Sequence, residues 1–287
     1  MEARAKINLT LEVFGRRADG YHDIRSLVVP ISLADEVTLL PSKDISLRVT
    51  EAVSGLASRI GPADDNLAIR AARLLRRVSG RTDGVAIDLV KRIPIGSGLG
   101  GGSADAAAVL HGLNALWRLD IPCAELARMA VELGSDVPAL TLGGMVLMEG
   151  RGERVTRETV CGPVLHLVLA FSGAFVSTSK VYAHCVPQLT NGGGIVDNMR
   201  HAISGGDLAA VAEALHNGLA SAAEAICPEI DKARVALLAA GALGVSMTGS
   251  GSCVFGLARD AADAQRVAAN LAETGLKAVP ACTCPVM

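Results

Sequence analysis

Aromatic residues are scarce in this sequence, whose 287 residues include only 1 Trp, 2 Tyr and 4 Phe. Its apolar character comes instead from alanine, valine, leucine and 31 glycines, so that 50% of the residues are still hydrophobic. This apolar content excludes a disordered chain and is sufficient for a sizeable buried core. Because few side chains are available for stacking, the position of each aromatic residue becomes informative.

An excess of charge is also lacking, since 27 Lys and Arg stand against 29 Asp and Glu for a net charge of -2. This balance excludes a generic nucleic-acid binder, whose phosphate contacts need clustered basic residues. The longest apolar runs, such as 164–171, fall far short of the ~20 residues of a membrane-spanning helix. Arg4, Lys6 and Asn8 interrupt any signal-peptide core. We expect a cytoplasmic monomer or homodimer with no nucleic-acid or membrane partner.

The seven cysteines are scattered and odd in number, which is typical of free thiols in a reducing compartment rather than of a disulfide framework. Cys282 and Cys284 form a close pair, but no second pair or nearby histidine completes a zinc site. We therefore predict no metal site at these residues.

Hydrophobic periodicity predicts a β-rich first part of the chain. Alternation favours antiparallel strands with one solvent-exposed face. A helix at 66–78 begins with Asp65 or Asn66 as its N-cap. The predicted elements are strands 5–14, 24–33, 36–40 and 45–50, helix 66–78, strand 85–93, and helices 104–116 and 124–133.

The second part of the chain mixes strands and helices. The predicted elements are strand 164–171, helices 178–185, 208–226 and 229–240, strands 244–247 and 253–258, helix 261–274 and strand 276–281. Its later portion follows the strand–helix–strand–strand–helix–strand order of a ferredoxin-like domain. We expect an α+β fold of two lobes, an N-terminal domain over residues 1–158 and a C-terminal domain over residues 159–287.

Five glycines between Gly96 and Gly102 lie where a strand passes into a helix. Without Cβ atoms, the backbone N–H groups of this segment can converge on one point, and the helix N-terminus adds partial positive charge. The segment therefore has the properties of a phosphate cradle. The alternative is a flexible glycine turn at a helix boundary.

Two common phosphate motifs do not account for this segment. A Walker A loop requires a lysine before Ser103, where this chain has Gly102. Gly96, Gly98 and Gly101 satisfy the dinucleotide spacing, but the preceding strand alternates and no second strand ending in an acid follows. The protein-kinase signatures His-Arg-Asp and Asp-Phe-Gly do not occur in the sequence.

Three segments taken together are similar to the GHMP small-molecule kinase family, and they occur in the family's order and spacing. They are residues 3–9, 94–107 and 247–252. Further matches point to the branch of the family whose substrate carries a cytidine diphosphate group; they are residues 15–22, 65–67, 133–138 and 149–153. The resemblance spans essentially the whole chain and implies a two-lobed fold whose N-terminal lobe binds the nucleotide.

The activity implied by the resemblance is phosphoryl transfer from ATP, with Mg²⁺, to the 2-hydroxyl of a methylerythritol moiety, in non-mevalonate isoprenoid precursor synthesis. It places Asp136 beside the acceptor hydroxyl as general base. It places Lys6 nearby, where an ammonium favours the ionised carboxylate and the developing alkoxide. The alternative roles are an N-cap of the 137–140 turn for Asp136 and a solvated edge lysine for Lys6.

The resemblance also assigns the ATP site. It places the phosphates at residues 98–103 and Asn66 and Lys91 near the adenine. The full set of residues that it assigns to ATP binding in this segment is Pro94, Gly96, Ser97, Gly98, Leu99, Gly100, Gly101, Gly102 and Ser103. Two positions depart from the family pattern, because Ser97 stands where glycine is frequent and Ala104 where a second serine is common. No metal ligand is assigned, and Ser103 remains the candidate hydroxyl for Mg²⁺.

The substrate site implied by the resemblance uses both tyrosines, with Tyr21 and Tyr182 stacking on the pyrimidine. His22 would hydrogen-bond the cytosine edge, while Asn8 and Thr178 would contact polar substrate groups. The alternative for each tyrosine is a half-buried packing residue. The turn at residues 249–251 would support the site, and it can equally be a plain hairpin turn.

Three other functions stay open from the sequence. A different acceptor, such as homoserine or mevalonate, is opposed by the adjacent Tyr21 and His22, which favour a cytosine. A dinucleotide oxidoreductase lacks its second strand and acid. Non-catalytic nucleotide sensing is opposed by the presence of both Lys6 and Asp136.

Overall fold

The computed structural model describes residues 1–51, 65–186 and 194–284 of the chain. The elements of the first half are β1 (Glu2–Arg16), β2 (His22–Ser42), β3 (Ser46–Glu51), α1 (Leu67–Ser79), β4 (Gly84–Lys91), α2 (Gly101–Leu116), α3 (Cys123–Met129), a 3₁₀ turn (Ala130–Glu132) and α4 (Val137–Leu142). Those of the second half are β5 (Val146–Gly150), β6 (Arg154–Arg157), β7 (His166–Phe171), α5 (Thr178–His184), α6 (Ile195–Gly205), α7 (Leu208–Ala214), β8 (His216–Asn217), α8 (Ala220–Ile226), α9 (Pro228–Ala239), β9 (Gly244–Met247), β10 (Cys253–Ala258), α10 (Ala261–Glu273) and β11 (Lys277–Cys282).

Packing divides the chain into two compact units, which we call the first and second unit. The first unit contains Met1–Lys6, Leu33–Ile95 and Gly100–Gly143. Within it, β4 pairs antiparallel with the later half of β2 and parallel with β3. The apolar side chains of β4 form one core with the buried faces of α1 and α2.

Helix α1 is specified by signals that are close in sequence. Asn66 is its N-cap, and the Asn66 side chain accepts a hydrogen bond of 2.9 Å from the backbone N–H of Ala68. Gly80 ends the helix in the left-handed conformation with φ of 66°, which a residue without Cβ adopts at little cost. The predicted helix and its N-cap are thereby confirmed.

The second unit contains Ile7–Ser32, Gly96–Leu99 and Gly144–Met287. Its four-stranded sheet has the order β11-β7-β10-β9, and each adjacent pair is antiparallel. With α10 between β10 and β11 and helices between β7 and β9, this is the ferredoxin-like arrangement expected from the sequence. The predicted α+β fold is confirmed.

The prediction of one helix over residues 208–226 is wrong. Helix α7 ends at Ala214, and β8 pairs in parallel with Thr10 and Leu11 of β1 before α8 begins. The backbone N–H of Gly218 donates to the Leu11 carbonyl oxygen at 2.7 Å. Pairing with a distant strand therefore interrupts a segment whose local composition favours a continuous helix.

The prediction of a solvent-exposed face for every early strand is also wrong. On β1 the alternate polar residues Lys6, Asn8, Thr10 and Glu12 are buried. Asn8 and Thr10 have internal hydrogen-bond partners, as when Thr10 Oγ1 accepts the Leu27 N–H at 3.1 Å, whereas both Glu12 carboxylate oxygens are buried without one among the described residues. Burial raises the pKa of the Glu12 carboxyl group, as expected for an acid removed from water.

Three further differences concern element boundaries. The two predicted strands 24–33 and 36–40 are one continuous strand, β2. Helix α6 and the hairpin of β5 and β6 have no counterpart in the predicted elements. The predicted boundary after residue 158 stays a prediction, since the packing units are each assembled from separate stretches of chain.

In the described ranges, no helix has the length and apolar character needed to cross a membrane.

Candidate active site

The glycine segment between β4 and α2 adopts the left-handed conformation three times. Gly96, Gly98 and Gly100 have φ values of 71°, 79° and 72°, which side chains with a Cβ rarely allow. Helix α2 begins at Gly101, earlier than the predicted Ala104, and no side chain caps this end. The first-turn N–H groups therefore lack intrahelical acceptors and can bind an anion.

The first half of the segment, Gly96–Leu99, packs with the second unit. Ser97 accepts the Cys253 N–H at 3.0 Å, and Gly98 accepts the Thr248 hydroxyl at 3.3 Å, both through their carbonyl oxygens. A Cβ on Gly98 would lie 2.2 Å from the Thr248 carbonyl oxygen. Glycine is thus required at this position by space as well as by φ.

Asn8 supports the turn that follows β9. Its Oδ1 accepts the Gly249 N–H at 2.8 Å and the Thr248 hydroxyl at 3.2 Å, while its Nδ2 donates to the Ser26 hydroxyl at 2.8 Å. The amide that was predicted to contact substrate is therefore largely engaged within the protein.

Asn217 holds the same turn from β8. Its Nδ2 donates to the carbonyl oxygens of Met247 at 2.6 Å and Gly249 at 2.9 Å. The Thr178 and Ser250 hydroxyls lie 2.8 Å apart in hydrogen-bond contact. The turn at residues 247–252 is therefore a fixed element of the second unit and more than a plain hairpin connection.

Lys6 and Asp136 lie together in the first unit. Lys6 Nζ is 3.6 Å from Asp136 Oδ2, with side-chain exposures of 3% and 37%. Asp136 occupies the N-cap position of α4, but its carboxylate makes no capping hydrogen bond. The capping role considered for Asp136 is therefore not realised, and its carboxylate is partly exposed beside a buried ammonium.

The two residues predicted near adenine have engaged side chains. The side-chain oxygen Oδ1 of Asn66 caps α1, as described above. The Lys91 ammonium binds the carboxylates of Asp35 and Asp105 in a buried group. Any contact of Lys91 with a base would come from its backbone, because its side-chain charge is used within the protein.

The residues predicted to bind the pyrimidine lie in the second unit. The His22 and Tyr182 ring centroids are 5.4 Å apart with planes inclined by 30°. Tyr21 is 53% exposed, and the Arg151 guanidinium lies over its ring at 5.3 Å from the centroid. Burial, reinforced by the charge of Arg16, lowers the pKa of His22. The imidazole is therefore neutral at pH 7 and offers one donor and one acceptor.

Comparison with known proteins identifies the family of this chain. Family models match at residues 66–144, described as GHMP kinases N terminal domain, and at residues 199–277, described as GHMP kinases C terminal. A relative from Pelotomaculum thermopropionicum, named 4-diphosphocytidyl-2-C-methyl-D-erythritol kinase, is 43% identical over 274 residues, which are 95% of this chain and 93% of the relative. The chain belongs to the GHMP kinase family.

Further relatives indicate the branch of the GHMP kinase family to which this chain is similar. A protein of the same name from Symbiobacterium thermophilum is 44% identical over 262 residues, or 91% of this chain and 90% of the relative. A crystal structure of 4-(cytidine 5'-diphospho)-2C-methyl-D-erythritol kinase superposes with a TM-score of 0.82 at 36% identity, covering 99% of this chain and 98% of that one. Mevalonate kinase from L. major shares the fold, with a TM-score of 0.76 at 21% identity over 99% and 95%. The predicted ATP-dependent kinase is confirmed, which excludes a dinucleotide oxidoreductase.

Three residues of this GHMP kinase contact predicted site residues but were not themselves predicted from the sequence; they are Arg151, Asp35 and Asp105. Arg151 lies in a segment, residues 149–153, that carried the family resemblance without an assigned role. Gly150 and Gly152 flank it with φ of 69° and 110°, and the Arg151 N–H donates to Glu153 Oε2 at 2.7 Å. The position of a charged residue between two glycines could have marked Arg151 as a candidate from the sequence. No sequence pattern marks Asp35 or Asp105, because only the fold brings them to Lys91.

Magnesium ions in kinases are held mainly by phosphate oxygens and by one or two protein ligands. Ser103 lies in the first turn of α2, where its hydroxyl can supply one such oxygen. Among the residues that the structure describes, no three His, Cys, Asp or Glu side chains are arranged to hold a metal. The residues present therefore fit an ion that arrives with the nucleotide rather than a resident metal.

Proposed function

We propose that this kinase transfers the γ-phosphoryl group of ATP to the 2-hydroxyl of 4-diphosphocytidyl-2-C-methyl-D-erythritol, in the non-mevalonate route to isoprenoid precursors. The names of the relatives at 43% and 44% identity support this substrate. The observation that carries the proposal is the Lys6–Asp136 pair at 3.6 Å, with the Asp136 carboxylate free of the helix end that it precedes.

Asp136 acts as general base in this reaction. As the hydroxyl oxygen forms its bond to the γ-phosphorus, its proton passes to an Asp136 carboxylate oxygen, while the bond from phosphorus to the β–γ bridging oxygen breaks and ADP leaves. The Lys6 ammonium stabilises the negative charge that develops on the attacking oxygen. A tertiary alcohol is hindered and weakly acidic, so this assistance suits the acceptor.

ATP binds along the glycine segment from Pro94 to Ser103, with its phosphates at the part from Gly98 to Ser103. The uncapped N–H groups at the start of α2 donate to the phosphate oxygens, and the helix end contributes partial positive charge. Asn66, through its remaining N–H groups, and the Lys91 backbone border the adenine. Mg²⁺ would supply charge neutralisation at the phosphates, and the Ser103 hydroxyl would be its protein ligand.

The cytidine group binds in the second unit. Tyr21 and Tyr182 provide the stacking surfaces, and the neutral His22 supplies hydrogen bonds to the cytosine edge. Thr178 and Asn8 contact polar groups of the substrate. The Arg151 guanidinium covers one face of the Tyr21 ring, which fixes the ring and leaves its other face for the base.

All seven cysteines are free thiols, which supports a reducing, cytoplasmic location. We propose that the enzyme acts there as a monomer or homodimer on a small-molecule substrate. One assay tests the substrate assignment. Purified protein with Mg-ATP is given the cytidyl substrate, homoserine or mevalonate, and ADP release is followed. We expect turnover with the cytidyl substrate alone. Turnover with homoserine or mevalonate and none with the cytidyl substrate would contradict the proposal.

A further inference from the structure

Two of the seven aromatic side chains are largely exposed, and one of them has no role in the proposed site. Tyr21 is 53% exposed and Phe175 is 61% exposed, whereas Trp117 and Phe255 are buried. A single exposed apolar side chain is common on protein surfaces and indicates no function by itself. The surroundings of Phe175 therefore have to show whether its ring contacts a ligand.

Phe175 lies against the entry of the glycine segment. A Cβ built on Gly96 would lie 2.5 Å from the ring carbons Cδ2 and Cε2 of Phe175, a distance at which no Cβ fits. One edge of the ring therefore occupies the space that the missing side chain of Gly96 leaves open. Both residues belong to the second unit. The ring is packed on the segment along this edge, and most of its surface stays accessible.

The loop that carries Phe175, residues 172–177, is fixed on both sides of the ring. The Ala174 carbonyl oxygen accepts a hydrogen bond from the Ser252 hydroxyl at 2.5 Å. Val176 is buried in the core of the second unit. The exposed ring is thus held in a defined place, so that a ligand which contacts it has little further ordering to impose.

The 172–177 loop connects the two places where the ends of the proposed substrate lie. The loop leads into α5, whose Thr178 and Tyr182 belong to the proposed cytidine site. Its Phe175 ring lies on the glycine segment, which the acceptor end of the substrate has to approach to receive the phosphoryl group. The substrate therefore runs along this loop, with the ring of Phe175 at its acceptor end.

The acceptor end of the substrate has one purely apolar group. Its 2-C-methyl-D-erythritol moiety carries a methyl group on the carbon that bears the 2-hydroxyl, and its other substituents are polar. Contact between this methyl group and an aromatic ring removes apolar surface of both from water. Phe175 offers such a surface beside the segment that holds the phosphates.

We infer that Phe175 is a specificity-determining residue whose ring packs against the C2 methyl group of the acceptor. The inference rests on the proposed function and deepens it, because it states how the enzyme distinguishes a methylated acceptor from one with hydrogen at the same carbon. One methyl or methylene group in an apolar site changes kcat/KM by about tenfold or more.

The test measures kcat/KM at saturating Mg-ATP for the cytidyl substrate and for its analogue with hydrogen in place of the C2 methyl group. The full-length wild type is compared with Phe175→Ala, Phe175→Leu and Leu238→Ala. Leu238→Ala is the matched control, because Leu238 is an exposed apolar residue of α9. The two hydroxyls differ in intrinsic reactivity, and this difference cancels when the preference of each variant is divided by that of the wild type.

We expect Phe175→Ala to lower the preference for the methylated acceptor by roughly three- to tenfold, with kcat/KM for the analogue little changed. Phe175→Leu should keep most of the preference, because leucine retains an apolar surface, and Leu238→Ala should keep all of it. If Phe175→Ala does not fold, Phe175→Gln replaces it, since glutamine removes the ring and keeps a side chain of similar length.

An equal loss of kcat/KM on both acceptors would show that the ring only supports Gly96, and it would overturn the inference. A raised KM for Mg-ATP as the sole change would overturn it as well, because the ring would then act on the nucleotide. Absence of turnover of either cytidyl acceptor by the wild type would instead refute the proposed function.

Discussion

Replacing Asp136 by asparagine separates catalysis from folding in this kinase. Asparagine keeps the size of the side chain and one carbonyl oxygen beside Lys6 but cannot take a proton from the acceptor hydroxyl. Because the Asp136 carboxylate makes no capping hydrogen bond to α4, the substitution removes no contact that holds the helix end. We therefore expect a folded protein that binds both substrates and turns over slowly.

The expected loss of activity is larger than the expected loss of folding free energy. Loss of a general base lowers kcat by about 10²- to 10⁴-fold, which corresponds to roughly 3–5 kcal/mol of transition-state stabilisation. The ion pair has a separation of 3.6 Å with side-chain exposures of 3% for Lys6 and 37% for Asp136, so removing the carboxylate charge from beside the buried ammonium costs about 1–3 kcal/mol of folding free energy, and the asparagine carbonyl oxygen that remains limits this cost. Each kcal/mol shifts the melting temperature by roughly 2–4 °C.

The assay measures ADP release under saturating Mg-ATP and cytidyl substrate, with the melting temperature taken on the same preparation. Glu132→Gln is the control, because it breaks a surface ion pair with Arg77 of 2.6 Å in a nearby turn and should leave kcat unchanged. A kcat for Asp136→Asn within about threefold of wild type, far below the effect of losing a general base, would remove Asp136 as the base.

Four other substitutions give separate tests. Gly98→Ala should raise the KM for ATP and lower the melting temperature, because the new Cβ would lie 2.2 Å from the Thr248 carbonyl oxygen; unaltered values of both would refute the steric reasoning. Tyr21→Ala and Tyr182→Ala should each raise the KM for the cytidyl substrate, by up to about 100-fold for a lost stacking contact, and an unchanged KM would exclude stacking. Asp207→Ala should cost about 1 kcal/mol of unfolding free energy in a urea titration, since Asp207 caps α7 by accepting the Ala209 and Ala210 N–H groups; no loss would show that this cap is not needed.

Prediction from sequence was accurate where the residues that specify an element are close together along the chain. Asn66 and Gly80 define the two ends of α1 through local hydrogen bonding and backbone conformation. The strands of the four-stranded sheet follow short apolar runs, so their order along the chain already indicated the ferredoxin-like arrangement. The glycine segment was recognised because its residue types act through their own backbone.

Prediction failed where a distant segment decides the local conformation. The residues around Gly218 have helix-forming neighbours, yet they pair with β1 and interrupt the helix. The polar face of β1 reads as solvent-exposed by alternation, but Asn8 and Thr10 bond to groups on other strands. Periodicity describes which residues share a face and contains no information on what covers that face.

The sequence by itself determined the kinase family and the glycine segment, and it indicated Lys6 and Asp136 as candidate catalytic residues, because motifs and backbone requirements are properties of neighbouring residues. Only the tertiary structure decided that Lys6 Nζ lies 3.6 Å from Asp136 Oδ2 and that Lys91 is bound by Asp35 and Asp105. A charge that is removed from water needs a partner of opposite sign, and in this fold those partners come from distant parts of the chain.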